Sequence, residues 1–186
     1  MSKLRRILAV TMMIAVTAGF TACGGGGGNG GGTDVSKVKG ETYDTGVFSV
    51  LVPEGWQVRD VLIGDEVDSK QLRLIKGTES EADMLLGPYM TITSYKDGTV
   101  SSAMDQVQYY GGDKEQLDPV EAGDYTWDAA QAGSDPYINI FMSASEPYKY
   151  EIMMLPKSGD KEVTLKDADV LAILGSLKDT GTSSSN

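Results

Sequence analysis

The sequence predicts an α+β fold in which helices flank an antiparallel β-sheet, an α/β/α sandwich. Short runs of β-branched or alternating apolar residues recur along the chain, separated by Gly, Pro and Asp turn signals. Consecutive strands joined by short turns pair in the antiparallel sense. Two other segments, one central and one near the C-terminus, have a helical period, and their apolar stripes must be buried against the sheet.

The first part of the folded region predicts four extended segments. Residues 47–52 are rich in Val and favour a strand, which a Pro-Glu-Gly turn at 53–55 ends. Another extended segment begins at 56–58. Strands follow at 71–76, where two Leu residues share one face, and at 90–95.

The two helices are predicted from apolar residues spaced three or four apart. Ser101 is the candidate N-cap of the central helix, and Gly111-Gly112 is its stop signal. The terminal helix begins at Lys166 or Asp167. The predicted buried stripes are Val100, Met104, Val107 and Tyr110 in the central helix, and Val170, Ile173, Leu174 and Leu177 in the terminal helix.

Between these helices the pattern returns to strands. Residues 120–126 and 127–132 are predicted as extended, with the turn signal Gly123-Asp124 among them. Apolar and polar residues alternate at 138–143 and again at 148–154, which is typical of strands with one buried face.

Two further segments are predicted to lack regular structure. Residues 156–160 carry Pro, Ser and Gly and predict a turn. Residues 113–118 are mostly charged, and they lack the spacing of carboxylates and glycine that a calcium loop needs. We therefore interpret 113–118 as a solvated loop.

The N-terminus has the parts of a secretory signal peptide: basic residues, an apolar run and a small residue at a cleavage point. The apolar run at 7–20 is short for a permanent membrane span. Ala22 is the small residue before Cys23, which predicts cleavage between the two. The basic residues are Lys3, Arg5 and Arg6.

Cys23 is the one cysteine of the chain. Residues 20–23, Phe-Thr-Ala-Cys, resemble the lipobox of bacterial lipoproteins, with Phe20 where that family usually has an aliphatic residue. The resemblance implies that Cys23 carries a diacylglyceryl group, with acyl chains such as palmitate, and anchors the protein on the extracytoplasmic face of a cell membrane. The alternative is an ordinary signal peptide and a buried cysteine, but the glycine run at 24–32 disfavours a packed element there.

These patterns divide the chain into four parts. Residues 1–22 are the signal peptide, and 23–40 are the lipidated cysteine with a Gly-rich tether. Residues 41–178 form one α+β domain, large enough to bury a core without disulfides. Residues 179–186 are a disordered tail by composition.

The chain is acidic, with 27 Asp and Glu against 16 Lys and Arg. Removal of the signal peptide takes away three basic residues and no acid, so the mature chain is more acidic still. Nucleic-acid binding needs clustered Lys and Arg, so no nucleic acid is expected as a partner. The expected partners are the membrane, through the diacylglyceryl anchor, and another protein of the cell envelope.

Two further stretches indicate a family for the folded domain. Residues 43–56, with an aromatic-containing strand, a proline turn and a Gly-Trp pair, resemble the opening of the PsbP-like (DcrB-like) family. Residues 171–178 are similar to that family's C-terminal helix. The resemblance covers nearly all of 41–178 and implies an antiparallel sheet flanked by helices and a non-enzymatic role, without naming a ligand.

Enzymatic chemistry has few available groups. The chain contains no histidine, and Cys23 is assigned to lipid, so we expect no catalytic residue, no metal site and no cofactor. A hydrolase that uses carboxylates alone is the remaining enzymatic alternative. No spacing marks out a catalytic pair among its candidate acids, Asp65, Glu66, Asp68 and Asp83.

The function predicted from the sequence is a non-catalytic binding or accessory module of the cell envelope. Tyr and Trp suit partly solvated contact surfaces, and Tyr125, Trp127 and Tyr137 are the candidate binding patch. The alternative is a carrier for a small ligand or lipid, with its pocket between the sheet and the helices.

Overall fold

The computed structural model describes residues 33–60, 69–77, 87–95, 100–135, 137–146 and 149–180. Its largest element is a sheet with the strand order β3-β4-β5-β10-β9-β8-β6, in which β7 also pairs with β8. Its strands are β3 (Trp56–Asp60), β4 (Ser69–Lys76), β5 (Tyr89–Tyr95), β6 (Asp113–Gln116), β7 (Val120–Ala122), β8 (Tyr125–Ser134), β9 (Tyr137–Ala144) and β10 (Tyr150–Leu155).

Two smaller sheets accompany the large one. A three-stranded sheet has the order β1-β2-β13, and β11 pairs with β12 in a two-residue hairpin ladder. Every strand pair among the described residues is antiparallel, as short connections favour. The strands are β1 (Gly40–Asp44), β2 (Phe48–Pro53), β11 (Lys157–Ser158), β12 (Lys161–Glu162) and β13 (Lys178–Asp179).

The predicted α/β/α sandwich is wrong, because the described part of the chain is mostly β and has only two α-helices. Helix α1 (Ala103–Val107) has five residues, too few to cover a sheet face, and helix α2 (Ala168–Ser176) has nine. The apolar stripe from Val100 to Tyr110 suggested a longer central helix, but Val100 precedes α1 and Tyr110 follows it. Of that stripe Val100 and Val107 are buried, whereas Met104 is half-buried and Tyr110 is exposed, so the prediction of a four-residue buried stripe is wrong at Tyr110.

The main core lies between one face of the large sheet and a layer made of β2 and α2. Alternate residues of β2 point inward, with Phe48 and Val50 fully buried. Ile173 and Leu174 of α2 are also fully buried against the same cluster. Each such side chain contributes about 1.5–3 kcal/mol when removed from water. The space between α2 and the large sheet is therefore filled by buried side chains.

The opposite face of the large sheet carries α1 over β8 and β9. Ala103 and Val107 of α1 pack on a second cluster that contains Ala130, Ala132 and Phe141. The small alanine side chains let the helix approach the strand closely. Ser102, and not Ser101, is the N-cap of α1.

The described chain enters the domain at one end of the large sheet, which we call the entry end. A 3-10 turn at Val35–Lys37 leads into β1, and the Thr33 hydroxyl donates to the Lys166 carbonyl oxygen at 3.0 Å, just before α2. Glu54 N donates to the Lys39 carbonyl at 2.9 Å. Residues 33–40, which the sequence assigns to the tether, are therefore packed onto the domain.

The opposite end, which we call the distal end, holds the β7–β8 turn and the C-terminus of α2. Strand β8 begins there and reaches the entry end after ten residues, a length of roughly 33 Å. Gly123, with φ +62°, brings the turn against Gly175 of α2: a Cβ on Gly123 would lie 2.5 Å from the Gly175 carbonyl oxygen. This close approach requires glycine on both sides.

Neither helix of the described ranges is long and apolar enough to span a bilayer. The predicted cleavage and lipidation residues Ala22 and Cys23, together with Phe20, lie outside the described residues. The signal peptide and the lipid anchor therefore stay predictions.

Candidate functional site

The three residues of the predicted aromatic patch are not brought together. Trp127 is fully buried, Tyr125 is 2% exposed, and Tyr137 is 78% exposed. Tyr125 and Tyr137 lie at opposite ends of the β8–β9 hairpin, roughly 30 Å apart along β8. Tyr125 and Trp127 belong to the main core, so the patch does not form a surface.

The alternation along β8 explains this burial. Residues 125, 127 and 129 face the main core, whereas 126 and 128 face the other side of the sheet. The Tyr125 ring packs 5.3 Å from the Trp127 ring, and its hydroxyl donates to the Leu177 carbonyl oxygen at 2.8 Å. The same alternation, read from the sequence, places Thr126 and Asp128 on the other face.

On that other face, a groove of about 530 Å³ opens at the distal end of the sheet. We call it the distal groove. It lies where the segment before α1 passes over β8 and the end of β9. Its lining residues are Val100, Ser102, Pro119, Asp124, Thr126, Asp128, Ser143, Ser145 and Glu146.

Asp128 connects the distal groove to α1. Its Oδ2 accepts from the Ala103 amide at 2.7 Å, and its Oδ1 accepts from Gln116 Nε2 at 2.9 Å. The carboxylate therefore fixes the start of α1 and the edge strand β6 against β8. Asp128 therefore has two roles: it stabilises the fold, and it lines the distal groove as a hydrogen-bond acceptor.

Ser143 lies at the floor of the distal groove. It pairs with Asp128 on β8 and with Glu151 on β10, so two carboxylates flank it at the usual cross-strand Cβ separation of about 4.5–5.5 Å. Ser143 is only 6% exposed. Within the described residues, nothing forms a hydrogen bond with its hydroxyl.

The rim of the groove carries Asp124 and Glu146, both exposed. Neither carboxylate forms an ion pair with a described residue. Asp124 belongs to the β7–β8 turn that Gly123 holds against α2. No Lys or Arg is among the described residues that line the groove. The rim is therefore negatively charged, and no described lining residue carries a positive charge to balance it.

Glu151 fixes the segment that leads to α1. Its Oε1 accepts from the Ser101 amide at 2.8 Å, and its Oε2 accepts from the Tyr95 hydroxyl at 2.8 Å. Burial and the hydrogen bond to Glu151 raise the pKa of Tyr95 to about 12. Tyr95 therefore remains a neutral donor well above its usual titration range.

A second groove, of about 500 Å³, lies at the entry end between the 3-10 turn and α2. Three of its five charged lining residues, Asp34, Lys37 and Asp169, form ion pairs. Asp34 forms an ion pair with Lys37 at 3.1 Å, and a hydrogen bond from Ser36 is the main cause of a lowered pKa at Asp34. Asp169 accepts from Lys76 at 3.0 Å and from Trp56 Nε1 at 3.2 Å. This groove offers fewer unpaired groups to a ligand.

The metal and hydrolase alternatives both depend on grouped carboxylates. No three carboxylate or thiol side chains among them are grouped closely enough to hold a metal ion. The acids proposed for a carboxylate-only hydrolase, Asp65, Glu66, Asp68 and Asp83, lie outside the described residues. The distal groove supplies hydroxyls and carboxylates, which suit hydrogen bonding to a ligand with several donors.

Comparison with protein-family models, curated proteins and solved structures found no match to this chain. The PsbP-like resemblance and the lipobox resemblance therefore stay predictions from the sequence.

Proposed function

We propose that the protein is a lipoprotein anchored through Cys23 to the extracytoplasmic face of a cell membrane. Its folded domain is a non-catalytic binding module for another component of the cell envelope. The observation that carries the proposal is the arrangement around Cys23: basic residues, a short apolar run, Ala22, the cysteine and a glycine run.

The chemistry of such an anchor suits stable membrane attachment. A single acyl chain binds a membrane only marginally, whereas two chains on one residue hold a protein there. The glycine run at 24–32 disfavours a packed element that would bury Cys23, which supports lipidation at its sulfur.

The position of the packed entry segment supports a binding role for the opposite end. Nine residues separate Cys23 from Thr33, and a Gly-rich chain of that length spans roughly 15–18 Å on average. Thr33 is fixed beside α2 at the entry end. Attachment through this end puts the distal groove at the opposite end of the large sheet from the anchor, which supports access by a partner.

The composition supports a non-catalytic role. Without histidine the chain lacks the commonest general base, and lipidation of Cys23 uses its one thiol. In the distal groove the two carboxylates beside Ser143, those of Asp128 and Glu151, each accept two hydrogen bonds from other groups, which disfavours either as the base of a nucleophile. Binding is therefore the activity that the groove supports best.

Mass spectrometry of the native N-terminus tests the anchor. We expect a chain that begins at Cys23 and carries the mass of a diacylglyceryl group, and the full-length Cys23→Ser variant should retain its signal peptide without lipid. An unmodified Cys23 in the wild-type protein would contradict the proposal.

Cross-linking in intact cells tests the binding role. We expect a specific envelope component to be captured by the wild-type chain and lost when Glu146 and Asp124 are changed to Gln and Asn. The matched control is the Asp160→Asn, Glu162→Gln variant, which removes two exposed carboxylates from the β11–β12 hairpin. Equal capture by all three chains would refute a role for the distal groove.

A further inference from the structure

We propose that the distal groove binds a primary ammonium group, carried either by a free alkyl amine or by a lysine side chain. This inference rests on the proposed function as a binding module and names the chemistry of the ligand. The hydroxyl of Ser143 accepts a hydrogen bond from the ammonium group at the floor of the groove. The carboxylates of Asp124 and Glu146 balance its charge at the rim.

The sign of the charge follows from the lining. Three of its residues are carboxylates, Asp124, Asp128 and Glu146, and no described lining residue is a cation. Glu151 adds a fourth carboxylate next to Ser143 on the neighbouring strand. A concave site lined by one sign of charge concentrates ligands of the opposite sign. An anionic ligand would meet repulsion from each of these groups.

Ser143 indicates where the ligand binds. A nearly enclosed hydroxyl without a protein partner can form a hydrogen bond with a ligand donor that reaches it. Ser143 is 6% exposed, lines the groove and has no hydrogen-bond partner in the described part of the chain. A ligand donor at this position would satisfy it, and an ammonium group offers three donors.

The size and spacing of the site favour an organic cation. A volume of about 530 Å³ is within the usual range for small-molecule sites, and it is large for a bare ion. Within the described residues the carboxylates are not grouped as metal ligands. Val100 and Pro119 supply apolar walls for the alkyl part of an amine.

Isothermal titration calorimetry on the full-length protein in a neutral detergent tests the proposal. The probes are cadaverine and the tripeptide acetyl-Gly-Lys-Gly-amide, and the control probe is 1,5-pentanediol, which has the length of cadaverine without its charge. We expect saturable binding of an amine probe that weakens with added salt, and no binding of the diol.

Three variants locate the binding. Glu146→Gln and Asp124→Asn are each expected to weaken cadaverine binding about three-fold, and the two together about ten-fold. Ser143→Ala removes the floor hydroxyl and is expected to weaken binding about five-fold. The Asp160→Asn, Glu162→Gln control changes the net charge as much as the double variant and should bind like the wild type.

The two probes separate the sources of the ammonium group. Tripeptide binding at least as tight as that of cadaverine supports a lysine side chain of a protein partner. Binding of cadaverine alone supports a free amine. No saturable binding of either probe overturns the proposal, and so does binding that the groove variants and the control variant weaken equally.

These measurements do not depend on lipidation. A protein that binds cadaverine through Glu146 but carries no lipid on Cys23 would retain this inference and contradict the proposed anchor. A lipidated protein that captures a partner but binds no amine probe would retain the proposed function and contradict this inference.

Discussion

The contact between Gly123 and Gly175 should hold the β7–β8 turn, and with it Asp124, in place. A methyl group added at Gly123 would lie 2.5 Å from the Gly175 carbonyl oxygen and 2.8 Å from its Cα. Both neighbours are backbone atoms, so neither can rotate away. We therefore expect Gly123→Ala to separate the turn from α2 and to destabilise the domain.

The magnitude has two parts. Gly123 has φ +62°, a left-handed conformation that costs a residue with a Cβ about 1–2 kcal/mol. The steric conflict with α2 adds about 1–3 kcal/mol, as overpacking of a close contact usually does. The expected loss in the free energy of unfolding is therefore about 2–5 kcal/mol.

Gly159→Ala is the matched control, because Gly159 has φ +63° and an added Cβ there would have no neighbour within 4 Å. Both substitutions also reduce the entropy of the unfolded chain to the same degree, so this effect cancels in the comparison. The difference between the two variants isolates the steric conflict, about 1–3 kcal/mol.

Urea unfolding followed by tryptophan fluorescence and by far-ultraviolet circular dichroism measures the difference. Coincident transitions establish two-state unfolding, and the midpoint of Gly123→Ala should lie on the order of 1 M urea below that of Gly159→Ala. Equal midpoints for the two variants would refute the reasoning, since the shared backbone conformation would then account for the whole effect.

Two further predictions concern hydrogen bonds of the large sheet. Because the folded-state pKa of Tyr95 is raised to about 12, its bond to Glu151 contributes stability below about pH 10 that is lost as the pH rises to 12. The difference in free energy of unfolding between wild type and Tyr95→Phe should narrow over that interval, and a constant difference would contradict this. Asp169→Ala removes the acceptor of both Trp56 Nε1, which is buried, and Lys76, which is partly exposed. It should cost about 1–2 kcal/mol by urea unfolding, with Asp169→Asn costing less. An unchanged midpoint for Asp169→Ala would count against that network.

The sequence predicted which residues are buried better than it predicted how the helices and sheets are arranged in layers. The stripe Val170, Ile173, Leu174 and Leu177 is buried as the helical period indicated, and the alternating Leu72 and Leu74 of β4 are fully buried. Periodicity reports which side of an element avoids water, and that side is set locally. It does not report how elements stack, so the α/β/α sandwich expected from two helical stripes was wrong.

Strands without an apolar face were not predictable in the same way. β6 occupies Asp113–Gln116, within the segment interpreted as a solvated loop, and all four residues are exposed. Its extended form depends on backbone pairing with β8, from Asp113 opposite Gly133 to Gln116 opposite Ala130. Such pairing partners are distant in sequence, and composition does not identify them.

The distal groove could not be predicted from the sequence, again because it depends on how strands pair. The alternation along β8 puts the side chains of Trp127 and Asp128 on opposite faces of the sheet. The pairing of Ser143 with Asp128, however, depends on the register between β8 and β9. The predicted aromatic patch took Tyr125 and Trp127 as surface residues because their ring chemistry suits both cores and interfaces. Only the packing of α2 and β2 over that face decides between the two.

In the part of the chain that the structure describes, the large sheet is open, and β6 at one edge has no strand partner on its outer side. Unprotected edges of this kind template strand addition between neighbouring molecules. The proposed lipid anchor would confine copies of the protein to two dimensions, where they would meet far more often than in solution. The consecutive charges of Asp113, Lys114 and Glu115 oppose edge-to-edge pairing, so the segment with the least apolar character keeps neighbouring copies separate.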